Sequence, residues 1–170
     1  AEKYEAAICT HPIWESATAA YNRKFKMLTR SSLSEYVFSK NSYQKYGFQD
    51  YPLAWNSDDR AWLDFSEDKP IYTINEGLVS VRLSNLNITG KKDNLVLKNK
   101  SQVAFLHYLI KNKLNYYTKY DRIKIIRKYH FELKTMRKLN SRDWLFLIQN
   151  YVMHSDATVI KGFIKKYSWR

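Results

Sequence analysis

The chain has 170 residues, with 29 Lys/Arg against 16 Asp/Glu and a formal net charge of +13. Its 45% hydrophobic content is too high for a disordered chain and suits one compact domain. A single cysteine, Cys9, excludes an internal disulfide.

The first region, 1–48, reads as helical. Thr10 is placed to cap a helix with Pro12 in its first turn, where a missing N–H costs nothing. The Ala-rich run from Ile13 to Leu28 follows. Its basic end, with Arg23, Lys24, Lys26 and Arg30, complements the negative pole of the helix dipole. Ser31 or Ser32 then caps a short helix over Leu33–Ser39, and another turn runs from Ser42 to Tyr46 and stops at Gly47. These two short elements have the polarity of a helix-turn-helix surface, although no glycine marks a tight turn between them.

The second region, 49–100, reads as β-rich. Trp62, Leu63 and Phe65 suggest a short strand or turn, and Ile71–Ile74, Leu78–Leu83 and Asn94–Lys98 read as strands. Asn75-Glu76-Gly77 and Gly90–Asn94 supply the turns. A small antiparallel sheet or wing-like hairpin is expected.

The third region, 101–170, reads as helical throughout. Ser101 caps a helix with an apolar stripe of Val103, Leu106, Ile110, Leu114 and Tyr117. A second helix runs from about Asp121 to Leu139, a third starts at Ser141 with Asp143 in its first turn, and a fourth starts at Ser155. The fold class expected is α+β: N-terminal helices, a small antiparallel sheet or hairpin in the middle, and a C-terminal helical bundle, within a single domain.

The charge is concentrated. Residues 101–170 hold fifteen Lys/Arg against four Asp/Glu, a net of +11, whereas residues 1–50 carry seven against five and residues 51–100 seven against seven. Such asymmetry attracts polyanions. Its densest part is the helix from Asp121. At 100° per residue, Ile125, Ile126, Tyr129, Leu133 and Met136 share one side. Lys124, Arg127, Lys128, Lys134 and Lys138 share the other, with only Glu132 interrupting the positive charge. Phe131 projects from the middle of the basic arc, a combination suited to base stacking with phosphate contact. Lys161, Lys165 and Lys166 in the last helix are candidates to extend the patch.

Other chemistry has weaker footing. Asp58, Asp59, Asp64, Glu67 and Asp68 form an acidic cluster, and Glu67-Asp68-Lys69 resembles the end of a metal-dependent nuclease pattern that needs a second carboxylate such as Asp58. An acidic surface loop is the simpler reading. His11, His107, His130 and His154 are scattered and read as packing or surface residues. No phosphate-binding glycine loop, nucleophile elbow or zinc-like Cys/His spacing is present. Asn87-Ile88-Thr89 matches the glycosylation pattern, but the start Ala1–Glu5 lacks the basic-then-apolar order of a signal peptide. No run approaches the ~18 apolar residues of a membrane span.

The expectation is a nucleic-acid-binding protein (DNA or RNA) without catalysis, cofactor or metal, located in cytoplasm, nucleoid or nucleus. A regulatory or replication factor of a viral or mobile element fits the size, charge and Lys/Asn/Tyr-rich composition. The alternatives are an assembly protein whose basic face meets an acidic protein surface, and a small metal-dependent nuclease using Asp58, Asp64 and Glu67.

Overall fold

The computed structural model describes residues 10–29, 32–77, 79 and 94–154. Among these residues it is helix-rich, with six α-helices and one two-stranded antiparallel sheet. The chain divides into two compact units, Ala1–Phe48 with Asp58–Ser84 and Gln49–Ser57 with Asn85–Arg170.

In the first unit, β1 (Trp14–Ser16) pairs with β2 (Pro70–Tyr72), with Trp14 opposite Tyr72 and Glu15 opposite Ile71. The helix expected from Ile13 therefore begins later, as α1 (Ala17–Phe25), because Trp14–Ser16 finds a strand partner. Ser16, rather than Thr10, is the N-cap, and its Oγ accepts the Ala19 N–H at 3.1 Å. The basic end of α1 is tied to acids as well as to the dipole. Arg23 pairs with Glu15 and lies 2.8 Å from His11 Nδ1, and Lys24 reaches the buried Asp59 at 2.5 Å.

The helix expected over Leu33–Ser39 is only a 3-10 turn, Leu33–Glu35, followed by extended chain. The extension delivers Tyr36 onto Trp62 in a stacked contact (4.3 Å between centroids) and Phe38 against Phe65 (5.1 Å). A helix through these residues would turn some of those rings away. Ser39 caps α2 (Lys40–Tyr46), which ends at Gly47 with φ 59°, a left-handed conformation that glycine adopts without steric cost. The helix-turn-helix pattern thus reduces to one turn and one helix.

Trp62, Leu63 and Phe65, expected as a short strand or turn, lie on α3 (Ser57–Phe65). Asp58 and Asp59 occupy its first turn, near the positive dipole end. Ala61, Trp62 and Phe65 form the core on which Tyr36 packs.

In the second unit, α4 (Leu95–Asn112) begins where a strand was expected. Asn94 stands at the N-cap position, and Ser101 is inside the helix rather than its cap. Ser101 is fully buried, and its Oγ donates to the Pro52 carbonyl at 2.7 Å while approaching Leu97 O at 3.1 Å. Tertiary satisfaction of a carbonyl, not helix initiation, explains this serine. Val103, Leu106 and Ile110 are buried as expected, and so are Phe105, Tyr108 and Leu109. Over this stretch α4 is apolar around most of its circumference, which makes it the centre of the unit.

A 3-10 turn, Leu114–Tyr116, leads to α5 (Lys119–Met136) and then α6 (Ser141–Met153). Thr118 caps α5 by accepting the Asp121 N–H at 3.2 Å. Asn140, not Ser141, caps α6 through a reciprocal pair with Asp143: Oδ1 accepts the Asp143 N–H at 2.9 Å, and Asp143 Oδ2 accepts the Asn140 N–H at 2.8 Å. Helix α4 packs on α5, and α5 on α6. The strand expected over Leu78–Leu83 (Val79 apart), the turn from Gly90 and the helix from Ser155 lie outside the described residues.

Candidate nucleic-acid interface

Helix α5 has two sharply different faces. Ile125 and Ile126 are 0% exposed, Leu133 and Tyr129 are buried, and Met136 is partly covered. Each fully buried aliphatic side chain contributes about 1.5–3 kcal/mol relative to exposure, so this stripe fixes the rotation of the helix. The opposite side is thereby committed to solvent.

That side carries Lys124, Arg127, Lys128, Phe131 and Lys134, all exposed. Phe131 is 64% exposed. Tyr120, one turn before Lys124, is 66% exposed. Tyr120, Lys124, Arg127, Phe131 and Lys134 follow the spacing i, i+4, i+7, i+11 and i+14, within roughly a quarter of the helix circumference. Two aromatic rings are interspersed with three cations along this ridge, which spans ~21 Å at 1.5 Å per residue. The Lys124 ammonium lies 4.3 Å from the Tyr120 ring centroid and that of Lys128 lies 5.8 Å from the Phe131 centroid. The rings and cations are therefore close enough for one ligand to meet both.

The cations of this segment are not equivalent. Lys128 forms an ion pair with Glu132 at 2.6 Å. Arg122 turns back to the carbonyls of Tyr117 and Asn115, each at 2.7 Å, and anchors the start of the helix. Arg137 binds both oxygens of Asp143, at 2.5 and 2.8 Å, and joins the end of α5 to the first turn of α6. Side-chain hydrogen bonding from Arg137 holds the Asp143 carboxyl below the usual carboxylate range.

One expected member of the helical arc is displaced. Helix α5 ends at Met136, and Arg137 takes extended backbone. Lys138 is consequently exposed in the α5–α6 connection rather than on the helix. Lys161, Lys165 and Lys166 lie outside the described residues.

Two histidines of this unit, His107 and His130, are packed. His130 Nδ1 lies 3.3 Å from the Tyr151 hydroxyl, and its ring meets the edge of Trp144. His107 packs on Phe146 at 4.8 Å between centroids. Burial, reinforced by Lys134 for His130 and by Lys111 for His107, pushes both imidazoles below their ordinary range.

Three members of the acidic cluster of the first unit pair with cations, while burial raises the Asp58 carboxyl above its usual range. Asp59 pairs with Lys24, Asp64 with Arg60, and Glu67 with Lys45 and Lys69. The Lys45 and Lys69 ammonium groups and the Tyr46 hydroxyl hold the Glu67 carboxyl down to about 2. Among the described residues, no group of three or more His, Cys, Asp or Glu is arranged to hold a metal ion. Also among the described residues, no helix is long and apolar enough to cross a membrane.

A feature that no local sequence pattern marks lies beside the basic face. An open groove of about 380 Å³ is lined by Trp55, Lys98, Asn99, Gln102, Glu132 and Thr135, with Leu95, Val96 and Met136 completing its apolar wall. Trp55 comes from the segment after the 3-10 turn Pro52–Ala54, forty residues before α4 in the chain. No local pattern links it to Leu95 or Glu132. Only the packing of that turn on α4, fixed in part by the Ser101–Pro52 hydrogen bond, brings them together.

The chain matches no protein-family model, and no curated protein or solved structure shows significant similarity to it.

Proposed function

We propose that this chain binds nucleic acid through the exposed face of α5 and does no chemistry on it. The observation that carries the reading is the position of Phe131: an exposed aromatic ring on a solvent-facing ridge, between Arg127 and Lys128 on one turn and Lys134 on the next. A soluble helix gains nothing in stability from a large apolar ring left in water. A strand of nucleic acid offers bases to stack on such a ring and phosphates for the flanking cations. Lys138, in the connection after α5, extends the positive region. Met136 and the buried stripe behind it are scaffold.

A basic face also suits an acidic protein surface. The two readings separate by electrophoretic mobility shift at about 50 and 200 mM salt. Nucleic-acid binding that falls steeply with salt, as phosphate neutralisation releases counterions, is the expected result. No retarded band with single-stranded or duplex probes at the lower salt would overturn the reading in favour of a protein partner.

A further inference from the structure

The groove beside the basic ridge has the composition of a pocket for a planar, hydrogen-bonding ligand. Its volume of about 380 Å³ falls in the ordinary range for small-ligand sites, roughly 300–1,000 Å³. Apolar contact comes from Trp55 and Met136, and polar groups converge from α4 and α5. The Lys98 ammonium lies 5.0 Å from the Trp55 ring centroid, so the ring presents a face able to hold a cation, as it would a stacked base.

The polar groups retain hydrogen-bonding capacity. Glu132 accepts from Lys128 through Oε1 and from Asn99 through Oε2, which uses two of the roughly four lone-pair positions of a carboxylate. Gln102 brings an amide donor and an acceptor to the groove, and its side chain makes no hydrogen bond among the described residues. A carboxylate acceptor next to an amide is the set that reads the amine-bearing edge of a nucleobase.

Position links the groove to the ridge. Glu132 follows Phe131 directly and pairs with Lys128 of the basic face. Thr135 stands one turn after Phe131, and its hydroxyl donates to the Phe131 carbonyl at 2.9 Å. A chain of nucleotides lying along Lys124, Arg127 and Lys134 would therefore pass the mouth of the groove.

We infer that the groove receives an unpaired nucleobase from the strand held by the α5 ridge, so that the protein prefers single-stranded over duplex nucleic acid. The inference rests on the proposed function of α5 and adds the form of its ligand. A duplex keeps the edges of its bases paired and its rings stacked, and offers the groove nothing to enclose.

The test is fluorescence anisotropy of the full chain with a labelled mixed-sequence single strand and with the duplex of the same sequence. Gln102→Ala, Trp55→Ala and Arg127→Glu/Lys128→Glu are compared with wild type, each first checked for its helical circular dichroism. Gln102 is partly exposed and spares the packing should Trp55→Ala unfold. The expected result is tighter binding of the single strand, a loss of about 5-fold or more from either groove variant on that probe alone, and weakening of both probes by the charge reversal. Equal affinity for the two probes, with groove variants indistinguishable from wild type while the charge reversal still weakens binding, would overturn the groove and leave the α5 reading standing. Binding of neither probe by wild type would overturn both.

Discussion

Lys128 and Glu132 form an ion pair across one turn of α5, with Nζ 2.6 Å from Oε1. The pair sets the border between the basic ridge and the groove, and it holds one cation of the arc in check. The carboxylate is well covered and the ammonium half exposed, so the pair adds only a few tenths of a kcal/mol to the helix.

Glu132→Gln removes that restraint. Binding of an oligothymidine strand, whose bases lack an exocyclic amine for Glu132 to accept, is expected to tighten a few-fold at low salt. The slope of log K against log salt should steepen by up to about 0.7, the contribution of one further phosphate contact on a single strand. Titrations at four salt concentrations measure both quantities. Weaker oligothymidine binding would show that Lys128 needs its carboxylate partner to be positioned.

The two faces of α5 predict opposite mutational signatures. Phe131→Ala should change unfolding free energy by no more than about 0.5 kcal/mol, since the ring is exposed, yet weaken single-strand binding by about 5-fold or more. Leu133→Ala, two residues on and 2% exposed, should cost about 2–5 kcal/mol of stability. Urea unfolding beside anisotropy titration checks the pair. A Phe131→Ala protein as unstable as Leu133→Ala would reassign the ring to packing.

Ser101 is the polar link between α4 and the segment that carries Trp55. Ser101→Ala removes the side-chain donor to the Pro52 carbonyl, which keeps the Trp55 N–H at 3.2 Å, and should destabilise by about 0.5–1.5 kcal/mol. It should also weaken single-strand binding more than duplex binding, because Trp55 loses its anchor. Urea midpoints and the same two probes measure this. A variant as stable as wild type would mean that the hydroxyl adds nothing to the packing of this segment on α4.

Stability should fall in mild acid. Burial holds His107 and His130 below the ordinary imidazole value of 6.5, and His154 shifts in the same direction. As pH drops through that value the unfolded chain takes up protons before the folded one does. The unfolded state then binds more protons, so stability rises with pH and falls with acidification. Thermal melts should show Tm decreasing from about pH 7.5 to about pH 5.5, and a His107→Phe/His130→Phe protein should show a flatter profile. A Tm that rises over this range contradicts the burial argument.

The ridge was legible in the sequence because it follows from one periodic pattern. Ile125, Ile126, Tyr129 and Leu133 repeat at helical spacing and are buried, which puts Lys124, Arg127, Lys128, Phe131 and Lys134 on the far side. Tyr120 joins the ridge because the helix starts at Lys119, before the expected Asp121. Lys138 falls outside the helix because Arg137 leaves it and binds Asp143, which nothing local in the sequence announces. Leu95-Val96-Leu97 resembles a strand by composition, yet the residues form the exposed first turn of α4, whose remainder supplies the core. Trp14–Ser16 looked helical beside an Ala-rich run, and only its distant partner Pro70–Tyr72 makes it a strand. The groove was beyond reach for the same reason. Its members are close in space through tertiary packing, not through spacing in the chain.

The central claim is that the exposed face of α5 holds the phosphate backbone. It is tested most directly by the salt dependence of single-strand affinity for wild type and for Arg127→Glu/Lys128→Glu, with helical content matched by circular dichroism. The account predicts at least about a 10-fold loss of affinity near 100 mM salt and a slope shallower by about one. Affinity and slope unchanged by reversing both charges would contradict it.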